Sequence, residues 1–349
     1  MPSKKALFDP DAAAAEGSGI FGLPSDERRA RVHVIPVPFD ATTSYRKGTA
    51  RGPEAILRAS KQVDLFDLQT GKPYEHGIAM LAADPRIARL NTEAGEKADR
   101  IIDVAGQVGS DRALKSALER VNAIGAEINR IVHDEVTAAL DDERLPVVVG
   151  GDHSTPFGAM QALSEHHRGL GVLHFDAHAD LREAYEGFEW SHASIMDNVA
   201  KRLDGVAKLV QVGIRDIGER EHERIASSKG RIHALFDVDW QRAKLDRKDL
   251  RALVRRTLDE LPDEVYLSFD VDGLDPTLCP NTGTPVPGGL MWSEAMLWLE
   301  ELARSKRKIV GLDLNEVSPG DASPEIDSWD AIVGARLLYR LIGTALAAR

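Results

Sequence analysis

The chain has 349 residues, of which 43% are hydrophobic, so it can bury a large core. Its formal net charge of −12 argues against nucleic acid or an anionic membrane surface as a partner, and it is compatible with a cationic substrate. The single cysteine, Cys279, excludes an intramolecular disulfide and fits a reducing compartment.

The chain shows no signal for a membrane or for secretion. No apolar run approaches the ~18 residues of a transmembrane helix, and the first residues lack the apolar segment of a secretory signal. We therefore expect a soluble, cytoplasmic protein. Residues 1–30 are rich in Ala, Gly, Asp and Pro without periodicity, which predicts a mobile N-terminal arm or an oligomer contact. We expect residues 31–349 to form one domain.

From Arg31 onward, short apolar runs alternate with longer amphipathic stretches. The apolar runs predict strands buried on both faces at 31–37, 145–150, 169–176, 207–214, 231–237, 263–270 and 308–315. The amphipathic stretches predict helices at 111–138, 155–166, 217–228, 246–260, 292–305 and 327–347. This alternation favours the α/β class, with a parallel sheet and helices on both of its faces.

Metal-ligand residue types gather where these strands end. The segments GGDHS at 150–154, FDAHAD at 175–180 and SFDVDG at 268–273 supply His153, Asp176, His178, Asp180, Asp270 and Asp272. Ligands of an open parallel sheet bind beyond the carboxyl ends of the strands, so we expect these side chains to meet at one edge. A single Asp in such a place is often only a helix cap, but a set that alternates in register is poorly explained by capping.

Four neighbouring buried carboxylates require compensating positive charge, because burying them alone would cost many kcal/mol. Two divalent ions would supply it, and a water between ions roughly 3.5 Å apart ionises near neutral pH and becomes a nucleophile. Mixed carboxylate and imidazole ligands without thiolate suit manganese, nickel, cobalt or iron better than magnesium or calcium. The sequence therefore predicts a binuclear metallohydrolase.

Three residues outside this set are candidates for substrate chemistry. His192, in EWSHASIM, is predicted to be a general acid or proton shuttle with a pKa near neutrality, the alternative being a packed or surface histidine. Glu316, in GLDLNEVSP, is predicted to anchor the substrate, the alternative being a structural salt bridge. Trp190 either stacks on a planar cation in the pocket wall or serves only packing.

The ordered motifs of the chain resemble those of a known family. The blocks GGDHS, FDAHADLR, SFDVDGLDP and GLDLNEVSP, with VPFDATTSYRKGTARGPEAILRAS before them, look like those of the ureohydrolases, the arginase and agmatinase family, and are nearest to the agmatinase branch. The resemblance implies a three-layer α/β/α fold of the arginase/deacetylase type, with a central, mostly parallel eight-stranded sheet. It also implies a manganese pair, with nickel as the alternative, and a homo-oligomer that is a trimer or a hexamer.

The resemblance also assigns the ligands. One ion would bind His153, Asp176, Asp180 and Asp270, and the other would bind Asp176, His178, Asp270 and Asp272, so that Asp176 and Asp270 bridge. Glu316 would hold the substrate cation, Asp180 would pass a proton to the leaving nitrogen, and His192 would exchange protons with solvent.

The implied reaction is hydrolysis of a guanidino compound to urea and an amine or ammonia. Ala193 and Ser194 follow His192 where most agmatinases carry Gly-Thr. This difference makes agmatine a less expected substrate and favours guanidinobutyrate, guanidine or a biguanide. Two alternatives stay open. One is a formiminoglutamate-type C–N hydrolase, whose acidic substrate would have to be met by Arg46 or Lys47, and the other is a subunit of a hetero-oligomeric amidinohydrolase.

Overall fold

Eight strands pair side by side, all of them parallel, in one sheet. The structure, a computed structural model, describes residues 8–24, 26–321 and 327–348. The strands are β1 (Val32–Val37), β2 (Ile78–Met80), β3 (Leu145–Gly150), β4 (Leu170–Phe175), β5 (Val206–Val212), β6 (Ile232–Leu235), β7 (Glu264–Phe269) and β8 (Lys308–Leu314). Their order across the sheet is β2-β1-β3-β8-β7-β4-β5-β6. The predicted α/β class and the eight-stranded sheet are confirmed.

Helices occupy most of the connections between the strands. They are α1 (Gly52–Ala59), α2 (Pro85–Ile102), α3 (Arg112–Asp141), α4 (Phe157–His166), α5 (Ile195–Arg202), α6 (Glu219–Ser227), α7 (Asp237–Leu245), α8 (Leu250–Leu258), α9 (Trp292–Arg304) and α10 (Trp329–Ala347). In the described part of the chain, none of them is long and apolar enough to cross a membrane.

The seven predicted strands and six predicted helices are all present, and the described residues contain one further strand and four further α-helices that were not predicted. The missing strand, β2, has only three residues, too few to show a period. The missing helices are α1, α2, α5 and α7. The longest of them, α2, buries Ala94 and Ala98 on its inner face, and alanine marks an apolar face weakly.

Successive side chains of the strands point to opposite faces of the sheet and pack into a separate hydrophobic core on each face. Leu173 and Phe175 of β4 belong to the core that includes Trp298 of α9. Val172 of the same strand belongs to the other core, which includes Met160 of α4. Because both faces are covered by helices, the strands are mostly apolar, as the sequence pattern predicted, although His174 and Gln211 are buried within them.

The order of the strands explains how distant segments reach one place. Strands β3, β8, β7 and β4 are consecutive neighbours, and all of them run in the same direction. Segments that follow these strands must therefore meet at one edge of the sheet, and the predicted ligand residues follow three of them.

Part of the predicted N-terminal arm packs against the domain. Ile20 and Phe21 are buried in the core, where the Phe21 ring lies 4.9 Å from that of Tyr339 on α10. The backbone N–H of Phe21 also donates to Ser60 Oγ at 2.8 Å. Residues 1–7 lie outside the described residues, and the division of the chain at residue 30 stays a prediction.

Helices α3 and α4 approach so closely at Gly158 that only glycine fits there. A Cβ at this position would lie 2.1 Å from the carbonyl oxygen of Asn129, a backbone atom that cannot rotate away. We expect Gly158→Ala to lower the free energy of unfolding by about 1–3 kcal/mol, the usual cost of overpacking. Denaturant titration would measure it.

Gly95, in α2, provides the matched control. A Cβ there would meet only Lys47 Nζ at 3.8 Å. Gly95→Ala should therefore stabilise the protein by up to about 1 kcal/mol, the difference in helix propensity between the two residues. Equal effects of the two substitutions would contradict the close approach of the helices.

Candidate metal centre

One imidazole nitrogen faces three carboxylates at the centre of the site. His153 Nδ1 lies 2.9 Å from Asp176 Oδ2, 3.2 Å from Asp270 Oδ2 and 3.5 Å from Asp180 Oδ2. All four side chains are buried. One ring nitrogen can share only one proton, so the histidine by itself cannot compensate three carboxylates. A divalent cation is the species that this set of donors fits.

A second group adjoins the first and shares one carboxylate with it. His178 Nδ1 lies 3.0 Å from Asp272 Oδ2 and 3.4 Å from Asp176 Oδ1. Asp176 thus turns Oδ2 towards His153 and Oδ1 towards His178, which is the arrangement expected of a bridging ligand. The described residues therefore contain two adjoining donor groups that could each hold an ion.

Backbone contacts hold these side chains in place. The N–H of His178 donates to Asp176 Oδ1 at 2.6 Å, and the N–H of Ala177 donates to Asp272 Oδ1 at 2.9 Å. The N–H of Asp272 donates to Asp270 Oδ1 at 2.8 Å. Asp180 has a φ of 54°, in the left-handed region that non-glycine residues rarely adopt. Such local constraints set the direction of each carboxylate before any ligand arrives.

The electrostatics of the group show a shortage of positive charge. Burial, reinforced by the charge of Asp176, raises the pKa of Asp180 well above its usual range. Burial and the charge of Asp272 do the same to the pKa of Asp270. Burial lowers the pKa of His178, but the carboxylates of Asp272 and Asp176 outweigh it and raise this pKa to about 12. Because these raised pKa values reflect repulsion among buried carboxylates, bound cations would stabilise the cluster.

A cavity of about 400 Å³ opens onto these groups. Its wall includes His178 and Asp180, which connects the cavity directly to the candidate ligands. The remaining lining residues are Ser44, Tyr45, Arg46, Arg182, Tyr185, His192, Ala193, Asp216, Glu221, Thr284, Pro285 and Val286. Positively and negatively charged side chains therefore line the same cavity.

His192 lines this cavity, but its proton affinity differs from the expectation. Its Nδ1 is buried and has no hydrogen-bond partner among the described residues. Burial, and after it the positive charge of His178, lower the pKa of His192 to about 4 rather than leaving it near neutrality. Burial therefore favours the neutral ring, and a proton taken up by it would be released readily.

Glu316 is the second residue after β8, and it is buried. It is not one of the described residues that line the cavity. Its Oε1 accepts the backbone N–H of His153 at 2.9 Å, while its buried Oε2 has no partner in the described part of the chain. Its φ of 64° is another left-handed value. Burial, and then the charge of Asp270, raise the pKa of Glu316 well above its usual range. Within the described ranges Glu316 forms a backbone hydrogen bond but no salt bridge, and its role as a substrate anchor stays a prediction.

The loop that follows Asp180 is fastened to helices away from the sheet. Phe188 is fully buried in a small separate core, which also contains Ala98, Ile101, Ala117 and Val121 of α2 and α3. Tyr185 of the same loop lines the cavity, and its ring lies 6.2 Å from that of His192. This loop therefore forms one wall of the cavity, but it is held in place by α2 and α3 and not by the strands that carry the candidate ligands.

Two residues considered from the sequence lie away from the cavity. The Trp190 ring packs 5.0 Å from the ring of Phe157 and 4.6 Å below the guanidinium of Arg202, so it serves packing at a different surface. Lys47 is engaged in an ion pair with Asp99, whereas its neighbour Arg46 lines the cavity.

Sequence reasoning missed His174, whose Nε2 lies 2.8 Å from Asp176 Oδ2. The signal was present, because the alternation of 176, 178 and 180 continues backward to 174. His174 stands inside β4 rather than after it, which is why a search of strand ends passed over it.

Comparisons with known proteins show what the chain is similar to. A sequence model of the Arginase family matches residues 30–343. An N(1)-aminopropylagmatine ureohydrolase from Thermus thermophilus is 36% identical over 319 residues, which is 90% of each chain. An agmatinase from Pyrococcus horikoshii is 33% identical over 91% of this chain and 93% of its own. Proclavaminate amidino hydrolase from Streptomyces clavuligerus has a similar fold, with a TM-score of 0.72 at 23% identity over 97% of this chain and 100% of that one.

Substitution of Asp176, the carboxylate shared by the two donor groups, tests metal binding. We expect the wild-type protein loaded with Mn²⁺ to keep about two ions per chain after dialysis, as a two-metal site requires. Asp176→Asn should lower the occupancy of both positions, because Asp176 faces both groups. Elemental analysis of the dialysed protein would measure the ions.

Asp216→Asn is the control for this substitution, since its exposed side chain lines the same cavity. It should leave the metal content unchanged. Wild-type metal content in Asp176→Asn would contradict the shared position of this carboxylate.

Proposed function

The chain belongs to the arginase family, hydrolases that act on C–N bonds in linear amidines, and from this we propose that it hydrolyses a guanidino compound to urea and an amine or ammonia. The observation that carries the proposal is Asp176, whose two oxygens face two separate histidines. We assign His153, Asp176, Asp180 and Asp270 to one ion, and Asp176, His178, Asp270 and Asp272 to the other. Manganese is the proposed metal, with nickel as the alternative.

When bound, the ion pair would supply an activated water as the nucleophile for the guanidinium carbon. The protein's own contribution begins with Glu316. A buried carboxylate oxygen without a partner favours a cation beside it, and the planar guanidinium offers N–H donors to Oε2. Holding the cation there would turn its carbon towards the metal ligands, and such orientation can be worth several kcal/mol.

Two residues would move protons. Asp180 stands between the ligand cluster and the cavity, so its carboxylate would take the proton of the attacking water and pass it to the leaving nitrogen. His192 lines the same cavity, and its buried Nδ1 has no hydrogen-bond partner among the described residues, so we assign it the exchange of protons with solvent. Its lowered pKa favours release of such a proton over retention. Both roles rest on the position of these side chains at the cavity wall.

The tail of the substrate is the less determined part. Names of the Thermus and Pyrococcus relatives point to agmatine-type substrates with an amine tail, and Asp216 is an exposed carboxylate that could bind an amine. Arg46 and Arg182 stand on the same wall and favour an acidic tail instead. This second observation is the reason to include 4-guanidinobutyrate and the formiminoglutamate-type substrate in the test.

A trimeric or hexameric state and a cytoplasmic location stay predictions.

Glu316→Gln tests the substrate anchor. The variant keeps the size of the side chain and the contact with the backbone of His153, so it should retain its metal. Loss of the carboxylate charge should lower kcat/KM by about 100-fold or more, because the cation would no longer be oriented. Glu165→Gln, the same change on an exposed helical site, should have no effect. Full urea release by Glu316→Gln would refute the anchoring role.

A substrate panel tests the reaction itself. Urea release should be measured with agmatine, aminopropylagmatine, 4-guanidinobutyrate, arginine, guanidine and a biguanide, with Mn²⁺ and Ni²⁺ loadings side by side. At least one of them should yield urea. Formamide from formiminoglutamate, with no urea from any guanidino compound, would overturn the proposal in favour of its alternative.

A further inference from the structure

Two buried side chains stand behind Asp176 on neighbouring strands. His174 of β4 and Gln211 of β5 are direct register partners, so their side chains lie on the same face of the sheet. Both are fully buried. Gln211 Nε2 lies 2.7 Å from the carbonyl oxygen of Ala179 and 3.0 Å from His174 Nδ1.

The contact with Ala179 fixes the orientation of the Gln211 amide. A carbonyl oxygen can only accept a hydrogen bond, and a flipped amide would place Oε1 against it at the same 2.7 Å. The NH₂ group must therefore face Ala179, and its second hydrogen points to His174 Nδ1. That ring nitrogen accepts, so it carries no proton.

The proton of the neutral His174 ring is then on Nε2, which lies 2.8 Å from Asp176 Oδ2. The nitrogen that faces the candidate metal centre is thus a donor to Asp176 and has no lone pair to offer an ion. Proximity alone would have made His174 a ligand candidate beside His153.

We propose that Gln211 and His174 form a positioning relay that fixes the tautomer of His174 and, through its N–H, the orientation of the Asp176 carboxylate. His174 supports metal binding without coordinating a metal. The proposal rests on the proposed metal site in one respect, namely that Asp176 is a ligand. Outer partners of this kind typically change metal affinity by 10–100-fold when they are removed.

Gln211→Glu separates the relay from direct coordination, because the two predict opposite changes. In this variant a carboxylate oxygen replaces the NH₂ group beside Ala179 and Nδ1. A second proton on His174 is disfavoured because the ring is fully buried beside the bound Mn²⁺, so its single proton would move from Nε2 to Nδ1 to meet the carboxylate. Nε2 would then present a lone pair to Asp176 Oδ2 and repel it, while the melting temperature reports the lost contact with Ala179. The relay therefore predicts Mn²⁺ binding at least 10-fold weaker, measured by chelator competition. If His174 coordinated the ion, the same carboxylate would make the ring a better ligand and strengthen binding.

Substitutions of His174 give an independent measurement. His174→Gln keeps an N–H donor and should bind Mn²⁺ within a few-fold of the wild type, whereas His174→Leu should lose at least 10-fold. Equal losses in the two variants, or tighter binding by Gln211→Glu, would overturn the relay. Melting temperatures in chelator show whether each variant is folded, and Gln211→Glu conserves the size of the side chain if His174→Leu does not fold.

Gln161→Glu is the matched control, since it makes the same change on helix α4 and should leave Mn²⁺ binding unchanged. A failure of the proposed metal site can be distinguished from a failure of the relay. In that case Asp176→Asn would bind Mn²⁺ as the wild type does, whatever the relay variants show.

Discussion

Burial of like charges at one edge of a sheet is the constraint on which the rest of this molecule depends. Asp176, Asp180, Asp270 and Asp272 are all less than one-tenth exposed, and two of them have strongly raised pKa values. Such an arrangement is unfavourable unless cations join it. The backbone N–H groups, the two histidines and the shared carboxylate are all arranged around that requirement. Chemistry at the cavity follows from the same arrangement, because the groups that would bind metal also form part of its wall.

The fold contributes by making distant segments neighbours. His153 and Asp270 are separated by more than a hundred residues, yet they follow strands of the same sheet that lie two places apart. Parallel pairing makes both of these strands end on the same side. This much could be predicted from sequence, since apolar runs followed by ligand residue types indicate strand ends in an α/β sheet. All six predicted ligand residues do gather at that edge.

Other features needed the structure because they depend on packing and not on local pattern. The sequence contains Trp190 close to His192, but the ring turns outward against Phe157. The pKa of His192 depends on how deeply the ring is buried, which no spacing of residues reveals. The pairing of His174 with Gln211 depends on the register between β4 and β5. Strand β2 was missed because three residues show no period, and α2 because its buried face is partly alanine.

The separate anchoring of the loop after Asp180 has a consequence for how such a protein can change over time. Phe188 ties the loop to α2 and α3, while the candidate ligands are held by the ends of the strands. Insertions or exchanges between the two attachment points would reshape the space beside Tyr185 without moving the strand ends. Selectivity can therefore diverge among descendants while the hydrolytic apparatus is inherited intact, and grafting this loop between relatives is a natural route to redesigned catalysts.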